Sequence, residues 1–347
     1  MSARSNQTDP LRCRVTSQVW LLIFLLLATG CASLPEDYPK PESSALAEPE
    51  STTLGANIAE IAAQHPGESG FILLRYGRPA FNLRIALSDI AEKTLDVQVY
   101  IWEADETGRI FAERLLRAAD RGVRVRILVD DLGLQASYDR VAALDAHPNI
   151  EVRIFNPFAY RDSKMLDFVL DLDRVNNRMH NKTFIVDNTA AIVGGRNVGD
   201  HYFGVNPDTN FRDLDIGAIG PIVRDISSVF DHFWSGDWAV PIAALIDRLP
   251  PESEVRAEYA HLRKDIQAGD YPYDIDEDQA QVRVEMASGM GQFTWAKGQI
   301  VWDDPAQRET LENTAGSSRI ISNLYKKVDK VQHSLDVESA YFVLNER

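Results

Sequence analysis

From Leu95 to Ile154 the chain switches repeatedly between two hydrophobic periodicities, and that alternation leaves few folds open to it. Residues 95–102, LDVQVYIW, read as a strand. Residues 107–121 put Ile110, Phe111, Leu115, Leu116 and Ala119 on one helical face, and Gly122 stops the helix. A strand at 123–129 ends in Asp130 and Asp131, and a helix at 137–146 and a strand at 150–154 continue the rhythm. The expectation is an α/β layered domain. Beyond it, 211–220 reads as a strand, and Pro221 opens a helix. That helix carries Ile222, Val223, Ile226, Phe230, Phe233 and Trp234 on one face, a core stripe rather than a cofactor box. Neither GxGxxG nor the P-loop spacing occurs, so nucleotide binding of those kinds has no support.

The chemistry-bearing stretch is His180 to Asn197. His180 and Lys182 are one residue apart, so on an extended strand an imidazole and an ammonium project to the same side, where they can meet one phosphate. Two short apolar runs flank a turn at Asp187 and Asn188, which predicts a hairpin. Gly194 and Gly195 follow, where bare backbone can approach a ligand, and Asn197 adds a neutral donor. A His and a Lys on a strand are ordinarily a solvated edge, and Gly-Gly ordinarily a turn. A metal site would place Lys182 in the coordination sphere with no second His or Cys at ligand spacing, so no metal and no cofactor is expected.

The order His, one residue, Lys, four residues, Asp, six residues, Gly-Gly, one residue, Asn resembles the HKD motif of the phospholipase D superfamily, at six positions. YIWEADETGR, LVDDLG, NRMHNKTFIVDN, VGGRNVGDHYF and FRDLDIGAIG narrow the resemblance to bacterial cardiolipin synthases of the C type. It implies a phospholipase D-like layered domain, a mixed β-sheet flanked by helices. It also implies phosphatidyl transfer between membrane phospholipids, with phosphatidylglycerol as a substrate, through a phosphohistidine. The implied catalytic residues are His180 as nucleophile, Lys182, Asp187 and Asn197, with Asp215, or else Asp213, orienting the imidazole. Lys182, Gly194, Gly195 and Asn197 would hold the phosphate. Family chemistry takes two such motifs, one His attacking phosphorus and the other serving as acid and base. Of the seven histidines only His180 has Lys two residues on, so the chain reads as cut short of a second motif. A homodimer that brings two His180 groups together is the other completion. The competing readings are an inactive lipoprotein that binds anionic lipid and a nuclease of the same superfamily.

Arg4, Arg12 and Arg14 precede a ten-residue apolar run, Val19–Ala28, the length of a signal-peptide core rather than a membrane span. The run ends in ATGC, which resembles a bacterial lipobox and makes Cys31 the expected site of acylation, with an uncleaved signal anchor as the alternative. Either places the protein on a membrane of the bacterial cell envelope. The expected division is a signal peptide (1–30), a Pro/Ser/Glu-rich tether (31–70), a first phospholipase D-like domain (71–250), a connector (251–300) and the start of a second similar half (301–347). The last rests on a weak repeat between 89–102 and 328–343. Net charge is −16, the wrong sign for a polyanion partner, so no nucleic acid is expected. Residues 174–212 nonetheless carry five cations against three carboxylates, a locally basic stretch suited to one phosphodiester headgroup.

Overall fold

A computed structural model describes residues 34–35, 37–161, 163–264, 271–273, 293–304 and 319–335. Its strands are β1 (Ser69–Leu74), β2 (Thr94–Trp102), β3 (Arg124–Leu134), β4 (Ile150–Phe155), β5 (Thr183–Val186), β6 (Ala190–Gly194), β7 (Asp215–Ile219), β8 (Ala239–Pro241) and β9 (Thr294–Ala296). Its helices are α1 (Thr53–Ala62), α2 (Gly77–Ile90), α3 (Glu106–Asp120), α4 (Tyr138–Asp145), α5 (Lys164–Leu170), α6 (Leu172–Val175), α7 (Asp200–Phe203), α8 (Ile222–Ser235), α9 (Glu252–Leu262) and α10 (Arg319–Val328). One sheet runs β8-β4-β3-β2-β5-β6-β7-β1-β9. β2, β3 and β4 are parallel, joined by α3 and α4, and the remaining pairs are antiparallel, which makes the sheet mixed as expected.

The local causes are visible in the sequence. Asp105 caps α3 by accepting from the Gly108 amide at 2.8 Å, and Gly122, at φ +96°, supplies the left-handed residue that ends the helix. Asp187 and Asn188 both sit at φ +49°, the geometry of a primed hairpin turn, and both residue types tolerate it. The strand expected at 211–220 is shorter in the structure, from Asp215 to Ile219. The backbone before it is drawn elsewhere: the Arg196 guanidinium takes the Asp213 carbonyl, and Gly195 N–H donates to Leu214 O at 3.2 Å. Conversely β3 runs past Asp130 and Asp131 to Leu134, and β9, inside the stretch read as a connector, joins the sheet edge beside β1.

The two faces of the sheet differ in chemistry. One is aliphatic: Leu95, Val97, Val99, Val125, Ile127, Val129, Val152 and Ile154 pack beneath α2, α3 and α4. The other, under α8, mixes Leu128, Phe155, Ile185 and Ala191 with buried charge. There Arg126 grips Asp96 with two hydrogen bonds (2.6 and 2.8 Å) and lies 4.8 Å over the Phe230 ring, while Arg153 lies 4.0 Å over Trp234. Buried guanidinium groups need acceptors. The N-terminal segment supplies them: Arg126 donates to Ser43 O at 2.9 Å and Arg153 to Pro41 O at 2.6 Å. Lys40 Nζ donates to Gly236 O at 2.5 Å and the Ala45 amide to Asp231 at 2.8 Å. Residues 40–46 are therefore docked on the domain, and α1 follows, where the sequence reading had a free tether to residue 70. The run Val19–Ala28, Cys31 and residues 336–347 lie outside the described residues. Among the described residues no helix is long and apolar enough to cross a membrane.

Candidate active site

The i, i+2 alternation of β2 carries Asp96, Gln98 and Tyr100 along the α8 side of the sheet. β5 pairs antiparallel with β2, with Gln98 opposite Thr183. Continuing that register by two residues sets Tyr100 opposite Asn181, between His180 and Lys182. Both side chains close on its ring: the His180 imidazole stacks at 4.0 Å and 30°, and Lys182 Nζ lies 5.3 Å from the ring centre. Lys182 Nζ also donates to the His180 carbonyl at 2.6 Å, so the two residues precede β5 as a folded pair rather than as neighbours on a strand face.

The pair opens on a cleft of about 370 Å³. Arg178, His180, Lys182 and Gly194 line one side, Ile226, Val229 and Phe233 of α8 another, and Ile300, Trp302 and Ile320 the third. Cation charge and apolar wall therefore meet in one space. Burial lowers the pKa of His180 below its ordinary 6.5, and the charge of Lys182 pushes in the same direction, so the charged imidazolium is disfavoured. Burial lowers Lys182 to about 8, opposed by the charges of Asp213 and Asp130.

Behind the pair stands Asp130, fully buried at the end of the parallel strands. It accepts from the Met179 amide at 2.8 Å and from Arg178 at 3.0 Å, which pins the two residues immediately before His180. Arg178 also donates to Val175 O and Asn156 O, yet one of its guanidinium nitrogens is buried without a hydrogen-bond partner among the described residues. Tyr100 and Asp130 were not singled out as site residues from sequence. The available signals were an aromatic at i+4 from Asp96 on β2 and paired carboxylates at the carboxyl end of a parallel strand.

Other expected site residues lie elsewhere. Asp187 is buried and accepts from the amides of Glu92, Lys93 and Thr94 (2.9, 2.8 and 2.7 Å), tying the hairpin to the start of β2. Its carboxylate has no share in the cleft, because three backbone donors already occupy it. Asn197 is buried behind the cleft, its amide oxygen accepting from Ile101 N at 2.9 Å, one residue past Tyr100. Asp215 does not orient His180: it is locked between Arg84 (2.9 Å) and Arg196 (3.4 Å), and it accepts from the Arg196 amide. Among the described residues no carboxylate hydrogen-bonds the His180 imidazole. Gly194 and Gly195 are small for a packing reason, since a Cβ on Gly194 would overlap the Asp215 carboxylate and one on Gly195 the carboxylate of Asp213. Only Gly194 lines the cleft.

A histidine and a lysine thus meet on one aromatic ring at a cleft that is part cationic and part apolar. Residues 85–234 match the family described as cardiolipin synthase, PLD-like domain. The chain is 38% identical over 291 residues to cardiolipin synthase C of Escherichia coli strain K12, covering 84% of this chain and 61% of that protein. It is 39% identical over 229 residues to an uncharacterized Helicobacter pylori protein, covering 65% of this chain and 45% of that one. Among solved structures, NucT from Helicobacter pylori aligns with a TM-score of 0.37 and 19% identity, over 50% of this chain and 98% of that one. Residues 85–234 are thus a phospholipase D-like domain, and the chain spans about half to three-fifths of the length of these two relatives.

Proposed function

We propose that the chain provides one phosphoryl-transfer site of a phosphatidyltransferase that makes cardiolipin from phosphatidylglycerol and a second phospholipid. The observation that carries this is the His180–Lys182–Tyr100 cluster at the mouth of a cleft whose other walls are largely apolar, Asp303 apart. An imidazole nitrogen of His180 attacks phosphorus, the bond from phosphorus to the departing glycerol oxygen breaks, and the hydroxyl of the acceptor lipid later displaces the histidine. Lys182 and the unpartnered nitrogen of Arg178 supply positive charge for the phosphoryl oxygens. The lowered pKa of His180 favours the attacking form. The proton for the leaving glycerol comes from a second acid, assigned here to a second HKD motif on a longer form of the chain or on another copy. Overall charge of −16 argues against a nucleic-acid substrate. The anchored arrangement, with Cys31 acylated or residues 19–28 retained, would hold the site at the membrane.

The test uses phosphatidylglycerol labelled at phosphorus. Label should become covalently attached to the protein at His180, and labelled cardiolipin should form when a second HKD motif is present. Replacement His180→Ala should abolish both. Equal labelling of the His180→Ala protein would refute the assignment of the nucleophile.

A further inference from the structure

The segment between β4 and His180 buries Phe158, Val175 and Met179 yet turns most of its other large apolar side chains to solvent. On a water-facing helix the apolar residues turn inward. The fully buried residue of α5 is a carboxylate: Asp167 accepts from Tyr160 N at 3.0 Å and Arg174 at 3.3 Å, beside the half-buried Phe168, whose ring lies 5.7 Å from that of Phe158, and Lys164 donates to Asp131 O at 2.8 Å. Five large apolar residues of α5 and α6 face outward: Met165, Val169, Leu170 and Leu172 are 71, 74, 63 and 51% exposed, and Leu166 41%. A contiguous patch of that kind marks an interaction surface.

Its position says what it meets. Asn156, at φ +46°, roots the segment: its side chain donates to the carbonyls of Arg174 and Asn177 (2.8 and 2.7 Å), and its amide donates to Trp238 O at 2.7 Å. Two residues before Trp238, the Gly236 carbonyl receives Lys40, where the N-terminal segment comes onto the domain. That segment descends from a sequence with a ten-residue apolar run and a lipobox-like ATGC. At the other end of the same segment, Arg178 lines the cleft. The apolar helices thus lie between the arrival point of the N-terminal segment and the mouth of the site.

We propose that Met165, Leu166, Val169, Leu170 and Leu172 are a docking surface for a phospholipid bilayer, inserting at the level of the headgroups and presenting the cleft to lipid phosphates. The identity of the occupant rests on the phospholipid reading of the cleft. These five side chains form an apolar patch rimmed by charged residues of both signs, Arg161, Lys164 and Arg174 with the exposed Asp171 and Asp173, and an apolar patch with a polar rim is the pattern of an interaction surface at a lipid interface.

The experiment reconstitutes the full chain with vesicles of phosphatidylglycerol and phosphatidylethanolamine that carry a photoactivatable acyl chain, and maps lipid adducts by mass spectrometry. Adducts are expected within residues 164–172, in the wild type and in His180→Ala alike. They should fall at least about ten-fold in a Met165→Glu, Val169→Glu, Leu170→Glu variant, as expected for a loss of more than one decade in local partitioning. Thermal melting monitors folding, and the milder set Met165→Gln, Val169→Thr, Leu170→Gln replaces the first should it fail to fold. Adducts confined to residues 19–28, or crosslinks from 164–172 to a second copy of the chain, would overturn the proposal. Adducts at 164–172 in a protein that transfers no phosphatidyl group would leave the docking surface standing and remove the enzymatic reading instead.

Discussion

Tyr100 of β2 gathers His180 and Lys182, some eighty residues on in the sequence, into one cluster. Its ring is the surface on which the His180 imidazole and the Lys182 ammonium are both laid, while its hydroxyl enters neither contact. Replacement Tyr100→Phe should leave turnover within a few-fold of wild type. Replacement Tyr100→Ala should lower kcat by about 10²-fold, the scale of a mispositioned reacting group, with a smaller change in KM. Equal loss in both variants would show that the hydroxyl, not the ring, is what matters. The same pair sets a pH dependence. His180 must be neutral to attack, and burial lowers its pKa, so the acid limb of the turnover profile should lie at lower pH than an ordinary imidazole would give. Lys182 must stay charged, and its pKa is about 8, so turnover should fall as pH rises through 8. A pH profile of kcat/KM measures both limbs, and Lys182→Arg should move the upper limb to higher pH.

At the level of elements, the β5–β6 hairpin is held from both sides by carboxylates rather than by its own turn alone. Asp187 binds it to β2, and Gly194 at the end of β6 with Gly195 after it let it lie against the Asp215 and Asp213 carboxylates entering β7. Gly195→Ala should therefore cost about 1–3 kcal/mol, the range for forcing an extra carbon into a packed site, with the loss visible in a denaturant midpoint. An unchanged midpoint would mean that Asp213, half-exposed, simply swings aside. The spacing in sequence of His180, Lys182, Asp187, Gly194 and Asn197 thus marks two jobs at once. His180 and Lys182 reach the cleft, whereas Asp187 and Asn197 hold the strands that carry them.

For the whole molecule, the N-terminal segment is part of the sheet's second layer. Arg126 and Arg153 are buried among α8 aromatics, and both use carbonyls of that segment as acceptors. A chain beginning at Ala47 should lose stability by roughly 2 kcal/mol or more, since each buried donor left without a partner costs about 1–3 kcal/mol. Urea unfolding of the shortened protein beside the full chain measures this. An equal midpoint for the two would show that water replaces the lost carbonyls at no cost. The same contacts bring residues 40–46 onto the domain near Gly236 and Asp231.

Local chemistry was enough to foresee the alternating elements from β2 to β4, the α8 stripe and the hairpin turn. Each depends on residues close together in sequence: a helical period, a strand period, two residues that accept positive φ. Tertiary structure alone decided the rest. Which carboxylates serve the fold and which the site depended on long-range partners: Asp187 met the amides of residues 92–94, Asp215 met Arg84, and Asp130 met Met179. No composition signal separates those three, because an ionised carboxylate has the same capacity at each position and its neighbours are set by strand order. The docked N-terminal segment was illegible for a related reason. A stretch rich in Pro, Ser and Glu has no apolar periodicity, and what holds it is its backbone carbonyls, which every sequence has, meeting two arginines that only this sheet buries.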